Sequence, residues 1–291
     1  MEVKTVLLLG STGMAGHMIY YYLKNTNRYN LINVSYRAKL TEDSILIDIK
    51  NTTVLEELIL AANPDYIINC IGILIRGSRD IENAVFINAY FPHFLKKIAD
   101  KIAAKVIHLS TDCVFSGVSG NYKEDAPKDA GDTYGVSKSL GEINDPKHIT
   151  LRTSIIGPEL KSNGEGLLHW FFSQRVEISG YTNAIWSGIT TLELAKAIDY
   201  YLNNDVASGI VHVTNGEKIS KYALLKLFKS VWVVGDLNIR EGRLNKNVDK
   251  SLVKSEIFKY EVPSYYKMIT DLSSWISNND TLYNYSAKKN I

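Results

Sequence analysis

The sequence predicts an α/β fold in which a doubly wound, mostly parallel sheet of the Rossmann type is joined to a smaller C-terminal lobe. Three observations predict it: short apolar runs alternating with helical patterns, a glycine-rich turn after the first run, and a less regular second half. Strands separated by helices imply right-handed crossovers and a parallel sheet covered on both faces. The 291 residues suffice for one or two domains around a shared cleft.

The first half of the chain carries most of the regular pattern. Strand-like apolar runs occupy residues 6–9, 31–34, 45–47, 66–69, 106–109 and 149–151. Apolar residues recur at helical spacing over 14–24, 53–62 and 88–103. We therefore predict an NAD(P)-binding Rossmann domain over residues 1–155.

In the second half we expect a loop-rich stretch over 157–183, followed by a helix over 192–202, a strand over 210–213 and a helix over 221–232. Residues of about 188–215 would return to the Rossmann domain. The remaining segments, 156–187 and 216–291, would form the smaller substrate-binding lobe. The last residues, 280–291, are polar and predict a frayed tail.

Composition excludes several classes of protein. A formal net charge of +2 with 22% charged residues gives no electrostatic case for nucleic acid. The two cysteines, Cys70 and Cys113, are too few for a disulfide framework or a zinc cage, so we expect no metal site. Residues 1–4 run into a strand without the pattern of a signal peptide, and no apolar run reaches the roughly 20 residues of a membrane span. We expect a cytoplasmic protein without membrane insertion.

A glycine-rich turn follows the first strand and opens a helix. Glycines permit a tight turn and let the backbone approach a pyrophosphate, which then meets the amides and the positive dipole of the helix N-terminus. A structural glycine loop is the alternative, but its place after the first strand favours dinucleotide binding. The predicted cofactor-binding residues of this turn are Gly10, Thr12, Gly13, Met14, Ala15 and Gly16.

The end of the second strand bears on the choice between NAD and NADP. An acidic residue there binds the 2′-hydroxyl of the adenosine ribose, whereas a basic residue accommodates a 2′-phosphate. Here the strand is followed by Tyr36-Arg37-Ala38-Lys39, without an acid. We therefore expect NADPH to be preferred over NADH, with Arg37 as the phosphate ligand; a solvated surface role for Arg37 is the alternative.

Three residues predict a site for proton transfer. Tyr134 and Lys138 share a helix face at i and i+4, and an ammonium near a phenol favours the phenolate. The preceding segment, His108-Leu109-Ser110-Thr111, is a strand that ends in hydroxyl residues. Open parallel sheets place their chemistry at such strand ends. We predict that Thr111 hydrogen-bonds a reacting carbonyl group and that Tyr134 acts as the proton donor in the reaction.

Four segments resemble extended short-chain dehydrogenases, specifically the dTDP-4-dehydrorhamnose reductase family: GSTGMAG, HLSTDCVFSG, YGVSK and LRTSIIG. The resemblance covers roughly residues 4–215. It implies that Thr111, Tyr134 and Lys138 reduce the C4 ketone of a nucleotide-activated sugar, with Lys138 also holding the nicotinamide ribose. It further implies that Asp48 and Ile49 lie by the adenine. The other implied cofactor contacts are Cys70, Ile71 and Gly72, and the implied substrate contacts are Thr111, Val114, Phe115, Tyr134 and Trp186.

Departures from the family pattern leave the substrate open. The usual Gly-x-Pro-Thr segment is replaced by residues 184–191, where Trp186 either stacks on the substrate or packs the lobe. The substrate is therefore of the dTDP-4-dehydrorhamnose type or the UDP-2-acetamido-2,6-dideoxy-4-hexulose type, for surface polysaccharide precursors. Asp112-Cys113 stands where 4,6-dehydratases carry Asp-Glu, which disfavours dehydration. A nucleotide-sugar epimerase and a non-catalytic NADP-binding regulatory subunit remain alternatives, and a homodimer is left open.

Overall fold

The computed structural model describes residues 3–205, 207–283, 285 and 288–289. The first half of the chain contains β1 (Lys4–Leu9), α1 (Met14–Thr26), β2 (Tyr29–Ser35), β3 (Ile45–Leu46), α2 (Thr52–Ala62), β4 (Tyr66–Asn69), α3 (Ile81–Ala84), α4 (Phe91–Lys101), β5 (Lys105–Ser110), α5 (Thr133–Leu140) and β6 (Ile149–Arg152). The second half contains β7 (Ile155–Ile156), α6 (Leu167–Ser173), β8 (Glu177–Tyr181), β9 (Ala184–Trp186), β10 (Ile189–Thr190), α7 (Thr191–Asn204), β11 (Gly209–His212), β12 (Ile219–Ser220), α8 (Lys221–Val231), β13 (Trp232–Val233), β14 (Asn238–Gly242), β15 (Val248–Asp249), α9 (Tyr265–Asn278) and β16 (Lys288–Lys289).

The centre of the protein is a seven-stranded sheet in the order β11-β6-β5-β4-β1-β2-β3. Every pair of neighbours in this sheet is parallel. The order reverses direction between β1 and β4, which is where open α/β sheets leave a crevice at the carboxyl ends of their strands. The predicted doubly wound parallel sheet is confirmed.

Alternating side chains cover the two faces of this sheet. Val6 and Leu8 of β1 join one core cluster, whereas Leu7 and Leu9 join another on the opposite face. This period of two explains why nearly continuous apolar runs form the central strands. Helix α1 packs against α7 on the first of these faces, so a helix from the second half of the chain covers the sheet formed by the first half.

Three predicted segments differ from the structure. The helix predicted over 88–103 is instead the end of a π-helical turn over Val85–Tyr90 followed by α4, which begins at Phe91 because Pro92 has no N–H and fits only the first turn of an α-helix. The stretch 157–183, predicted as loops, contains α6 and β8. In the tail, predicted to be frayed, Tyr283 is buried and hydrogen-bonds His17. The described part of the tail is therefore packed, because its tyrosines supply the apolar contact.

Backbone hydrogen bonds join the smaller lobe to the loop that follows β5. Its strands β12, β9 and β15 form one sheet, and β8 pairs with β14 in another. The Asp249 N–H donates to the Gly117 carbonyl at 2.7 Å, and Tyr122 exchanges backbone bonds with Ser251 and Val253 at 2.9 and 2.8 Å. These bonds hold the lobe against the end of β5. Within the described residues, no helix is long and apolar enough to cross a membrane. Residues 1–2, which belong to the N-terminus predicted to lack a signal peptide, lie outside the residues that the structure describes.

Candidate active site

The turn between β1 and α1 is as tight as its glycines suggest. Gly10 has a φ of 82°, in the left-handed region that glycine tolerates at no steric cost. A Cβ at position 16 would lie 2.1 Å from the Gly10 carbonyl oxygen, so only glycine lets the helix approach the turn this closely. The N-cap residue Gly13 offers no side-chain acceptor to the first amides of α1. Those amides suit a pyrophosphate, so the turn fits a dinucleotide.

The other predicted cofactor residues lie along the same edge of the sheet. Arg37 follows β2, is exposed, and has its guanidinium 5.0 Å from the centroid of the Tyr36 ring. Asp48 is exposed after β3, whereas Ile49 is buried in the core. Cys70, Ile71 and Gly72 follow β4, where Ile71 contacts the Gly10 position. The structure thus brings these residues to the carboxyl ends of four adjacent strands.

Thr111 and Tyr134 meet at the end of β5. Asp132 caps α5 by accepting from the Gly135 N–H at 2.9 Å. Gly135 packs against the Cys113 carbonyl, and this contact places the neighbouring Tyr134 near the end of β5. Burial raises the pKa of Tyr134, as does neighbouring Cys113, while the Thr111 hydroxyl acts in the opposite direction. The sequence predicted a lowered pKa, and the structure corrects this. The phenol keeps its proton at neutral pH, as a proton donor requires.

Lys138 lies one helical turn from Tyr134 and is only 5% exposed. Its ammonium donates to the Leu109 carbonyl at 2.6 Å and lies 3.9 Å from the position of a Cβ on Gly72. Burial lowers the pKa of Lys138 to about 8, against the opposing charge of Glu142. A partly desolvated ammonium that faces the Gly72 loop is placed to bind hydroxyl groups of a ribose.

The side chains of three predicted substrate contacts are buried. Val114 and Phe115 are fully buried, and Phe115 stacks on Tyr122 with ring centroids 4.1 Å apart. Trp186 is 3% exposed and packs on Tyr265. In this structure the side chains of Val114, Phe115 and Trp186 pack inside the protein, and their contacts with a substrate stay predictions.

Several residues that support the site were not predicted as site residues. Asn88 bonds the Ile73 backbone through both its amide atoms, at 2.9 and 3.1 Å, and reaches the Ser137 hydroxyl at 3.1 Å. It fixes the loop after Gly72 to α5. Asp112 is buried directly beside Thr111. A polar residue inside an apolar helical pattern was the available signal for Asn88.

The comparisons with known proteins agree with this geometry. The sequence profile of the RmlD substrate binding domain matches residues 4–235. The chain belongs to this family. A dTDP-4-dehydrorhamnose reductase of Salmonella typhimurium is 27% identical over 223 residues, 72% of this chain and 72% of that protein. The spore coat polysaccharide biosynthesis protein SpsK of Bacillus subtilis is 28% identical over 166 residues, 55% of this chain and 58% of its own length.

A solved RmlD-type structure has the same fold. The dTDP-4-dehydrorhamnose reductase of Bacillus anthracis, in complex with NADP, superposes with a TM-score of 0.78 at 21% identity, covering 93% of this chain and 99% of that one. The family resemblance drawn from the four motifs is thereby confirmed. The chain spans 58% of the length of the Bacillus subtilis relative and 72% of that of the Salmonella typhimurium relative.

Proposed function

We propose that this member of the RmlD family is an NAD(P)H-dependent reductase of the C4 ketone of a nucleotide-activated 4-keto-6-deoxy sugar. The observation that carries the proposal is the convergence of Thr111, directly after β5, with the helix α5 that carries Tyr134 and Lys138, because the Lys138 ammonium donates to the Leu109 carbonyl of β5 at 2.6 Å. The glycine turn at Gly10 supports it, because its uncapped helix fits a dinucleotide pyrophosphate. The product would serve surface polysaccharide synthesis in the cytoplasm.

Each residue of the triad has a separate task in this proposal. A bound nicotinamide cofactor supplies the hydride. The Thr111 hydroxyl donates to the Asp112 carboxylate at 3.2 Å in this structure, and it would turn this hydrogen bond to the C4 carbonyl oxygen and fix the position of the ketone. Tyr134 transfers its phenolic proton to that oxygen as the alkoxide forms, and the Lys138 ammonium stabilises the resulting phenolate while holding the ribose.

NADPH is the proposed cofactor in preference to NADH. Ser35 ends β2 without an acid at the following position, and the exposed guanidinium of Arg37 lies on the Tyr36 ring nearby. A carboxylate there would repel a 2′-phosphate, whereas a planar guanidinium binds one through two hydrogen bonds. Residues 1–155 and about 188–215 would hold the cofactor, and 156–187 and 216–291 the sugar nucleotide.

The test is turnover of NADPH with two 4-keto substrates, dTDP-4-dehydrorhamnose and UDP-2-acetamido-2,6-dideoxy-4-hexulose, followed by product NMR. We expect one of them to be reduced at C4, and the UDP sugar is favoured because residues 184–191 differ from the usual family wall. A hundredfold preference for the dTDP sugar, on the order expected for substrate discrimination, would contradict that choice. Failure to reduce either would contradict the reductase proposal.

The same assay separates the alternatives. A nucleotide-sugar epimerase would interconvert C4 epimers without net consumption of NADPH. A non-catalytic regulatory subunit would bind NADPH without turnover of either sugar nucleotide. The intact Thr111, Tyr134 and Lys138 favour catalysis, because a subunit that only binds a cofactor has no need of a proton donor beside the nicotinamide.

A further inference from the structure

The described part of the C-terminal tail reaches back to the helix that follows the glycine turn. The Tyr283 side chain is buried, and its hydroxyl lies 3.1 Å from Nε2 of His17 in α1. Nδ1 of His17 lies 2.8 Å from the carbonyl oxygen of Gly13, in the turn itself. A carbonyl oxygen only accepts hydrogen bonds, so Nδ1 carries a proton. The tail is therefore joined to the glycine turn through one imidazole ring.

The protonation of His17 fixes the direction of these hydrogen bonds. Burial lowers the pKa of His17 to about 4, against the opposing bond to Gly13, so the ring is neutral at pH 7. With the single proton on Nδ1, the Nε2 atom accepts from the Tyr283 hydroxyl. The Trp275 N–H donates to the same hydroxyl at 3.3 Å. Phenylalanine in place of Tyr283 would take this partner from both the imidazole and the indole.

Tyr285 binds a different segment, the loop between β7 and α6. Its hydroxyl accepts from the Glu159 N–H at 2.8 Å and lies 3.2 Å from Nδ1 of His169. Its ring stacks with that of Tyr283, with centroids 6.2 Å apart. These two tyrosines, which we call the strap, therefore connect α1 with the loop over residues 159–166.

The loop over 159–166 contacts both sides of the crevice between β1 and β4. A Cβ on Gly166 would lie 3.3 Å from Sδ of Met14, the first residue of α1. On the other side, the Glu165 carboxylate lies 3.8 Å from the guanidinium of Arg76, in the loop that follows β4. The sheet order reverses between these two strands, and open α/β sheets bind their ligands at that point. The loop thus lies at the mouth of the proposed cofactor crevice.

This loop is held by few contacts compared with the elements that flank it. None of residues 159–166 is fully buried, and 161–163 are exposed, whereas Ile156 before the loop and Leu168 after it belong to the core. Hydrogen bonds to the strap and the ion pair of Glu165 hold the loop instead. Segments with few buried apolar contacts open at a lower free energy than the core does. The loop can therefore open while both of its ends stay in place.

We propose that the loop over 159–166 is a lid on the cofactor crevice and that the strap of Tyr283 and Tyr285 holds this lid closed. The proposal rests on the cofactor-binding role proposed above for the glycine turn. The strap acts through His17 and Glu159, so its tyrosines are positioning residues. A dinucleotide beneath the lid leaves only after the lid opens, and many enzymes are limited by such a step. The strap would therefore set the rate of cofactor release.

The first arm of the test measures the release of NADPH from its complex with the protein. Tyr283→Phe and Tyr285→Phe keep the rings and remove the hydroxyls. In a stopped-flow chase with excess NADP⁺, we expect each variant to release NADPH about 10-fold faster than wild type, on the scale of one lost hydrogen bond. Tyr260→Phe is the matched control, because its hydroxyl donates to the buried Glu193 of α7, outside the strap and the lid.

The second arm measures lid opening by hydrogen exchange, without turnover. In the free protein, Tyr285→Phe should raise the exchange rate of amides in 159–166 about 10-fold, because the Glu159 N–H loses its acceptor. Tyr260→Phe should leave exchange in this segment unchanged. In wild type, NADPH should slow exchange over the same segment, since the lid closes on the bound cofactor. Exchange elsewhere in the chain verifies that each variant is folded.

Three results would overturn the lid. The first is release of NADPH by both strap variants within about twofold of the wild-type rate. The second is exchange over 159–166 that NADPH does not slow. The third is an equal acceleration of release in Tyr260→Phe, which a general loss of stability would explain. A wild type that binds neither NADPH nor NADH would contradict both the lid and the cofactor proposal, whereas one that shows the expected release but reduces neither 4-keto sugar would contradict the reductase proposal alone.

Discussion

The Arg152 guanidinium binds both carboxylate oxygens of Glu142, at 2.8 and 2.7 Å, and neither side chain is exposed to solvent. The Ser110 hydroxyl donates to the same carboxylate at 2.7 Å. Arg152 also donates to His212 at 2.8 Å. Because these residues end β6, β5 and β11, the pair fixes three neighbouring strand ends, one of them directly before Thr111.

Breaking this buried pair should destabilise the protein strongly. Arg152→Met leaves the Glu142 carboxylate buried with a weaker set of partners, which costs about 3–5 kcal/mol in the free energy of unfolding. Lys101→Met, which removes a surface pair with Glu56, should cost less than about 1 kcal/mol. Denaturant unfolding of both variants gives the comparison, and equal losses would show that the Arg152 pair does not hold the strand ends.

The glycine turn offers a matched pair of substitutions. In Gly16→Ala the new methyl meets the Gly10 carbonyl oxygen at 2.1 Å, so the turn must open. We expect a loss of about 1–3 kcal/mol in stability together with loss of NADPH binding. Gly131→Ala meets no heavy atom within 4 Å and should leave both unchanged. Normal NADPH affinity in Gly16→Ala would separate this turn from the cofactor site.

Arg37→Ala tests the cofactor preference. Loss of a charge-assisted hydrogen bond to the 2′-phosphate should weaken NADPH by about 1.5–3 kcal/mol and leave NADH nearly unchanged. Lys39→Ala, on the same loop, is the control, because the Lys39 ammonium already donates to the Glu42 carbonyl. Titration of NADPH and NADH into wild type, Arg37→Ala and Lys39→Ala measures this preference. An unchanged NADPH affinity in Arg37→Ala would remove Arg37 from the cofactor site.

The lowered pKa of Lys138 predicts the pH dependence of turnover. Its ammonium is charged below pH 8 and loses its proton as the pH rises through about 8. The raised pKa of Tyr134 keeps the phenol protonated over the same range. The kcat/KM, which reports groups of the free enzyme, should therefore fall with a midpoint near pH 8. A kcat/KM that stays flat to about pH 9.5, in protein shown to be folded there, would contradict the role of Lys138.

The central strands β1, β4, β5 and β6 were predictable because most of their residues are buried on both faces, which gives an apolar run in the sequence. The predicted helix over 88–103 starts later than the helical segment in the structure. The residues before Pro92 form a π-helical turn, and its apolar side chains do not follow the spacing of an α-helix. The described part of the tail was predicted to be frayed because Tyr283 is isolated in a polar stretch. Its partner His17 lies 266 positions away along the chain, beyond any local pattern.

The site was predictable where the chemistry follows local spacing. Tyr134 and Lys138 share a helix, and Thr111 ends a strand, so pattern alone identified them. The smaller lobe contacts the loop after β5 through bonds such as that of Asp249 with Gly117, which join residues too far apart in the chain for a local pattern to predict. The direction of the Tyr134 pKa shift depends on burial, which sequence spacing does not report.

The account depends most directly on Tyr134 as the proton donor. Tyr134→Phe retains the ring and removes the hydroxyl, so NADPH should bind as in wild type while kcat with the preferred 4-keto sugar nucleotide falls by two orders of magnitude or more, on the scale of lost acid catalysis. The measurement is NADPH titration and steady-state turnover of the two proteins side by side. Near wild-type turnover in Tyr134→Phe would contradict the proposed reductase mechanism.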